Sequence, residues 1–273
     1  MSSEPTVQAN REIVQNVRSS LMDGSRLTVG FVVINCLATV VACYGLLANS
    51  TAVVIGAMLI ATLLGPIAGL ALGLVDGNGP LLRSALLTEL VGIASVIGLA
   101  FVVGSIHRDL PISAEMLSRT QPNLLDLIIA LAGGAAMAYA ILSPKLPTGV
   151  VGVAIATALV PPLSTCGLLL ARGENGMAGG AFLLFFANLV AIEIAISAVL
   201  WFFGFRRVLR SGGDRAIFLR ANILFVILLA GLAFGLTVNL DSAIQKNRFE
   251  AETRKALEAG LITPPGRTLR DVI

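Results

Sequence analysis

Long apolar runs separated by short polar turns set the pattern of this chain. An α-helix needs about 20 apolar residues to cross a hydrocarbon layer. Seven runs come close to that length or exceed it: residues 27–48, 51–75, 84–105, 124–142, 149–170, 181–205 and 216–239. Between them stand helix-ending residues: Asn49-Ser50, Asp76-Gly77-Asn78-Gly79-Pro80, Pro144 and Pro147, and Gly173-Glu174-Asn175-Gly176. The pattern predicts an all-α integral membrane protein of about seven transmembrane helices, with a transmembrane domain over 27–239. A 1–26 segment precedes it. There Ile13, Val14, Val17 and Leu21 share one helical face, while Arg11, Glu12 and Arg18 lie elsewhere. That face suits either a helix lying on the membrane surface or an ordinary solvated leader. The 240–273 tail is polar, helical over 243–258 and broken by Pro264-Pro265-Gly266.

An internal echo organises the runs. Ile60-Ala-Thr-Leu-Leu-Gly-Pro66 and Ile155-Ala-Thr-Ala-Leu-Val-Pro161 agree at five of seven positions, at an offset of 95. Each has an apolar helix upstream, and an apolar half-segment, a short turn and another long apolar helix downstream. The chain therefore reads as two related three-helix repeats, about 27–105 and 124–205, with one extra helix at 216–239. An odd number of crossings per repeat inverts one relative to the other. Proline inside a span removes a backbone hydrogen bond, so Gly65-Pro66 and Pro161-Pro162 predict broken second helices in both repeats. In hydrocarbon the freed groups need partners. Paired interruptions at matching places are the sequence mark of a transporter site; plain kinks in densely packed helices are the alternative.

Composition changes this picture little. Charged residues are 13% of the chain, about half the share of a soluble domain. Glycine is abundant (28) and aromatics scarce (5%), which suits backbone-to-backbone packing in lipid. Cys36, Cys43 and Cys166 all lie in apolar runs and read as packing residues. His107 is the sole histidine, so no zinc cluster is expected. The first apolar run is too long for a cleaved signal. Arginine and lysine placement sets orientation. Arg206, Arg207, Arg210, Arg215 and Arg220 cluster together, and seven crossings put Arg11, Arg18, Arg26, Arg83 and Lys145 on the same side. Only Arg108, Arg119 and Arg172 fall opposite. The expectation is a cytoplasmic N-terminus and an outside tail in the cell inner membrane.

The candidate chemistry gathers at the breaks. Thr62, Gly65, Pro66 and Thr157, Pro161, Pro162 occupy the two interruptions, and Ser164 and Thr165 follow the second. Their hydroxyls, with unwound carbonyls, suit a cation or a small polar solute; alternatively each hydroxyl bonds the carbonyl one turn back. Glu89 and Glu193 lie deepest in apolar runs, with Asn188 a little over one turn before Glu193. An ionisable group inside the bilayer costs about 2.5–3.5 kcal/mol on insertion scales and marks function by default. Glu193 is nearer mid-span. Glu89, about two turns from Pro80, has the alternative of reaching the interface. Asp126 reads as a first-turn carboxylate favoured by the helix dipole. Gly65, Gly69 and Gly73 form a small-residue ladder, and Gly133-Gly134-Ala135-Ala136 thins the fourth run; such faces serve contacts within one chain or a homo-oligomer.

The stretch from Asn49 to Gly73 resembles the hallmark of the DUF389 family of hydrophobic prokaryotic membrane proteins. So do Gln121-Pro-Asn-Leu-Leu-Asp126 with Ala-Gly-Gly-Ala-Ala after it, Gly152-Val-Ala-Ile-Ala-Thr-Ala-Leu-Val-Pro-Pro-Leu163, and Ala187-Asn-Leu-Val-Ala-Ile192. The resemblance spans roughly 25–240 and implies a bacterial or archaeal inner-membrane protein whose activity the family does not specify. This sequence departs from the family pattern at Thr62, where proline is expected, a change that softens the first break.

The function expected from all this is a transporter or channel-like permease for a small solute or ion. Its site lies at mid-membrane between the two broken helices, with Glu193 and Glu89 supplying coupling or selectivity. The alternative is a non-transporting membrane scaffold, sensor or lipid-binding protein. No catalytic constellation, phosphate loop or dinucleotide fingerprint is present. No cofactor and no metal are expected, and the expected partners are membrane lipids and the solute, not nucleic acid.

Overall fold

A computed structural model describes residues 15–142, 159–203 and 205, with the isolated positions 227, 230 and 231. The predicted seventh helix, the first half of the fifth run, Thr157 and the C-terminal tail lie outside the described residues. Within them the fold is all-helical, without strands. In chain order the helices are α1 (15–24), α2 (Val29–Leu47), α3 (Thr51–Ile60), α4 (Leu64–Asp76), α5 (Gly79–Ile106), α6 (Ala114–Leu117), α7 (Leu124–Leu142), α8 (Val160–Ala171) and α9 (Asn175–Phe202).

Local chemistry sets most boundaries. The Thr28 hydroxyl oxygen accepts the Phe31 amide and starts α2, and the Asn78 carboxamide oxygen accepts the Leu81 amide and starts α5. Gly77, at φ +64°, ends α4 in the left-handed conformation. The helices α2, α5, α7 and α9 are each long and apolar enough to cross a membrane, and α3 with α4 make a fifth span if counted together. Large apolar side chains such as Val29, Leu87, Ile106, Leu125 and Ile129 are exposed along them, as faces turned to lipid would be.

The two ends of the bundle are well defined. At one, Arg18 of α1 donates through Nη2 to Asp76 Oδ1 (2.6 Å) at the end of α4 and to the Phe205 carbonyl (3.1 Å) just beyond α9. At the other, Ser113 ahead of α6 donates to the Leu46 carbonyl at the end of α2. Arg172 after α8 donates to the His107 carbonyl after α5. At that end Glu115 of α6 accepts from the Thr51 hydroxyl and from Arg119 (2.7 Å). The Thr51 bond, and then Arg119, hold its carboxyl below the usual range. Helices α2 and α5 thus run from the α1 end to the α6 end. Helices α7 and α9 run back, with Thr120 against Gly180 near their starts and Ile141 and Leu142 beside α1 at their finish.

Two correspondences stand out. Helices α2 and α7 are both 19 residues long and start at residues 29 and 124, 95 positions apart. Helices α5 and α9 are both 28 residues long and start at 79 and 175, 96 positions apart.

The first segment packs on α4. Gly24 at the end of α1 sets its carbonyl oxygen over the Cα of Gly65, and Ser25 packs onto Gly69. Bare glycine faces are what allow this approach, since a Cβ at either position would collide. Arg18 and Asp76 then hold the helix down, with the Asp76 side chain 2% exposed. Removing one partner of such a half-buried pair costs about 1–2 kcal/mol, or roughly tenfold in local opening. Asp76→Asn is therefore expected to speed amide hydrogen exchange over residues 15–24 by about that factor. Exchange unchanged from the parent would mean that the pair does not hold α1.

Candidate functional site at the helix breaks

The first break comes from three neighbouring causes. Pro66 has no amide, and the Gly65 amide turns instead to the Thr62 carbonyl (3.2 Å). Ala61 is extended (φ −65°, ψ 144°), so α3 ends there. The Thr62 amide, which would have continued α3, donates to Asn35 Oδ1 of α2 (3.1 Å). Helices α3 and α4 consequently meet at a bend of 51°. The softening expected from the missing proline at 62 is not what the structure has, because Asn35 takes up the backbone group that a proline would have lacked.

Helices α4 and α8 both start without a side-chain cap, at Leu63 and Leu159. Their relation is read along α5. A methyl group at Gly92 would meet Leu63 at 2.6 Å, while farther down α4 Gly69 lies against Ala85 and Gly73 against Leu82. In the opposite direction Gly167 of α8 lies against Ile97 and Ala100, and Leu168 and Ala171 against Gly104. The two half-helices therefore leave the middle of α5 in opposite directions, with their N-terminal ends toward each other. Both also pack on α9. The positive ends of two helix dipoles thus lie inside an apolar bundle, beside the middle of α5.

Several sequence candidates gather here. Thr62 and Pro66 form the first break, and Gly65 forms the floor beneath Gly24. Pro161 and Pro162 open α8, and Ser164 and Thr165 in its next turn are fully buried. The Ser164 hydroxyl lies beside the Cys43 thiol. Asn188 is the fourteenth residue of α9 and Gly92 the fourteenth of α5, so each stands at mid-helix. Glu89 is one turn from Gly92, on the α5 face that carries Ala85 and Gly92 against α4. It is 2% exposed, and neither carboxylate oxygen accepts a hydrogen bond. Glu193 is also buried, but its Oε1 accepts from Ser197 one turn on (2.7 Å), and its neighbours Ile192 and Ala195 face Gly134 of α7. Asp126 sits in the first turn of α7, accepting the Asn123 amide.

Asn35 is the residue that sequence reasoning passed over. Its signal was a lone carboxamide in the apolar run of α2; it is fully buried, and its Nδ2 has no partner. The Thr62 hydroxyl is likewise buried and unpartnered. Beside the break a cavity of about 450 Å³ opens between α1, α4 and α7, bordered by Gly24, Gly65, Ala68 and Met137. No group of three or more histidine, cysteine or acidic side chains suited to a metal occurs among the described residues.

Four helices long and apolar enough to cross a membrane, or five with α3 and α4 counted as one span, point to a helical membrane protein. The DUF389 family, described as a domain of unknown function, matches residues 58–194, which hold the α3–α4 break and the start of α8. The chain belongs to that family. It is 31% identical over 197 residues to an uncharacterised protein of Methanocaldococcus jannaschii, an alignment covering 71% of this chain and 59% of that relative. The chain thus spans under two thirds of that relative's length. No solved structure matches it.

Replacing Asn35 by alanine strands the Thr62 amide, at a cost of about 1–3 kcal/mol. Asn35→Ala is expected to lower the thermal unfolding midpoint in detergent, with Thr39→Val on the same helix as the comparison. Thr39 only bonds the Asn35 carbonyl of its own helix, so it should cost less. Equal losses would remove Asn35 as the support of the break.

Proposed function

We propose that this protein is a membrane permease, carrier or channel-like, for a small solute or ion, and not an enzyme. The observation that carries the proposal is that two uncapped helices, α4 and α8, start beside the middle of α5 and leave it in opposite directions, among buried polar groups such as the Thr62 hydroxyl that lack partners. Discontinuous helices of this kind build the substrate sites of secondary transporters. In this reading α2 to α5 and α7 to α9 form two three-helix repeats, about 27–105 and 124–205, inverted in the membrane. Equal helix lengths at offsets of 95 and 96, and the opposed directions of the two sets, support it. The 216–239 run adds a seventh span.

Thr62, Gly65 and Pro66 line the site from one repeat, and Thr157, Pro161, Pro162, Ser164 and Thr165 from the other. Asn188 faces them from α9, with Glu89 and Glu193 supplying coupling or selectivity. The α1 end faces the cytoplasm of a plasma-membrane protein and the tail lies outside. Arg18, Arg26 and Arg83 at the α1 end and Arg108, Arg119 and Arg172 at the other agree with the arginine count on which that orientation rests. The glycine-rich faces offer a surface for a homo-oligomer.

The test is flux into proteoliposomes over a panel of ions, amino acids and small organic solutes. At least one should enter faster than into protein-free vesicles. Asn188→Leu should slow it about tenfold or more, the cost of one good polar contact. Vesicles that hold folded protein yet pass nothing would contradict the proposal and favour a scaffold or lipid-binding role.

A further inference from the structure

At the α6 end of the bundle another cavity, of about 640 Å³, opens where α5 and α8 finish. Arg108 and residues 110–112 wall it from beyond α5, and residues 170–174 wall it from the turn between α8 and α9. Gly173, at φ +80°, lets the chain reverse there. The volume falls within the range of small-ligand sites, about 300–1,000 Å³. One of its two arginines is fixed in place. Arg172 Nη2 donates to the His107 carbonyl (3.2 Å), and its Nε is buried without a partner. His107 is held in turn, its amide on the Val103 carbonyl (3.2 Å) and its ring nearly at right angles to that of Tyr44 (centroids 5.5 Å apart).

Neither arginine of this cavity is neutralised by a carboxylate. The ion pairs among the described residues are Arg18–Asp76, Arg26–Asp23 and Arg119–Glu115. At this end, then, Arg119 is taken up by Glu115, and Arg108 and Arg172 keep their charges. Glu174, the acid on the wall, is exposed and pairs with neither; Asp109 is exposed and lies outside the wall. Two permanent guanidinium charges against one carboxylate leave the wall positive. Depth decides which anion comes here. Helix α5 has 28 residues and rises about 42 Å, close to the about 40–45 Å of a bilayer with its headgroups. Residues just past its end therefore stand at headgroup level. Ile106, two residues before Arg108, is 70% exposed, and Leu110 and Leu170, which line the cavity, are exposed as well. The cavity thus sets apolar surface beside its charges.

We propose that Arg108 and Arg172 form a binding site for the phosphate of an anionic phospholipid. A planar guanidinium presents paired donors to phosphate oxygens, and Arg172, held through Nη2, is oriented before the lipid arrives. A zwitterionic lipid carries the same phosphate but brings a cation beside two arginines, so the site selects headgroups of net negative charge. Leu110, Ile112 and Leu170 take the glycerol and the first acyl carbons. Basic pockets between transmembrane helices hold phosphate headgroups in this manner. The site stands at the end of α5 and not at its middle, and it does not rest on the permease reading.

The purified full chain in maltoside detergent tests this, with bound lipid counted by native mass spectrometry and unfolding followed by temperature. Dioleoylphosphatidylglycerol should bind about tenfold more tightly than dioleoylphosphatidylcholine and raise the unfolding midpoint. Inorganic phosphate at the same concentration should leave the midpoint where it was. Arg108→Gln should weaken phosphatidylglycerol binding about fivefold, the effect of one basic residue on an anionic headgroup. Arg83→Gln, at an exposed arginine of the other end, should bind as the wild type does. Replacing Arg172 would also remove its bond to α5, so the exposed Arg108 carries the test, and its variant should unfold at the wild-type midpoint without lipid. The comparison of lipids on the wild-type chain needs no variant at all. Equal binding of the two lipids by the wild type would overturn the proposal, as would undiminished binding of phosphatidylglycerol by Arg108→Gln. A midpoint raised as much by inorganic phosphate would overturn the lipid as the ligand and make the site one for a free oxyanion.

Discussion

A helix that stops inside hydrocarbon leaves amides and carbonyls with no water to receive them. The rest of this structure follows from how that demand is met at residues 61–63. One amide, that of Thr62, goes to Asn35. One potential donor is absent because Pro66 is a proline. The approach of Gly24 over Gly65 covers the backbone from the α1 side. The Thr62 hydroxyl and Asn35 Nδ2 are buried there without a hydrogen-bond partner.

Packing explains why the break can sit where it does. Half-helices α4 and α8 lie along α5 by means of small residues, Gly69 on Ala85 and Gly167 on Ala100. Small residues let backbones approach where no hydrophobic drive exists between helices in lipid. Each half-helix is also held at its far end, α4 through Asp76 to Arg18 and α8 through the Arg172 after it to the His107 carbonyl. Both ends of the bundle are thus fastened by arginine, while the middle keeps unpaired polar groups.

Much of this was legible in the sequence, because turns and prolines act locally. Gly77 ends α4 and Asn78 starts α5 by contacts within a few residues, and the Thr-Gly-Pro echo marked the first interruption. Other features depend on residues far apart in the chain. The Asn35–Thr62 bond joins positions 27 apart, and Arg18 reaches Phe205 across 187; no local pattern encodes either. The first segment read as a surface helix or a solvated leader, whereas it docks on α4 through Gly24 and Ser25. Position along an apolar run favoured Glu193 over Glu89. Both are buried; Ser197 donates to Glu193 from its own helix, and neither Glu89 oxygen has a hydrogen-bond partner.

The central claim is that the break between α3 and α4 meets water in the middle of a span. The most direct measurement is thiol accessibility in a chain whose Cys36, Cys43 and Cys166 are replaced. A cysteine at Thr62 in reconstituted vesicles should react with a charged, water-soluble methanethiosulfonate. One at Leu87, exposed on the outer face of α5 close to the level of Glu89, should not. Equal protection of both positions, with the protein folded, would contradict the account.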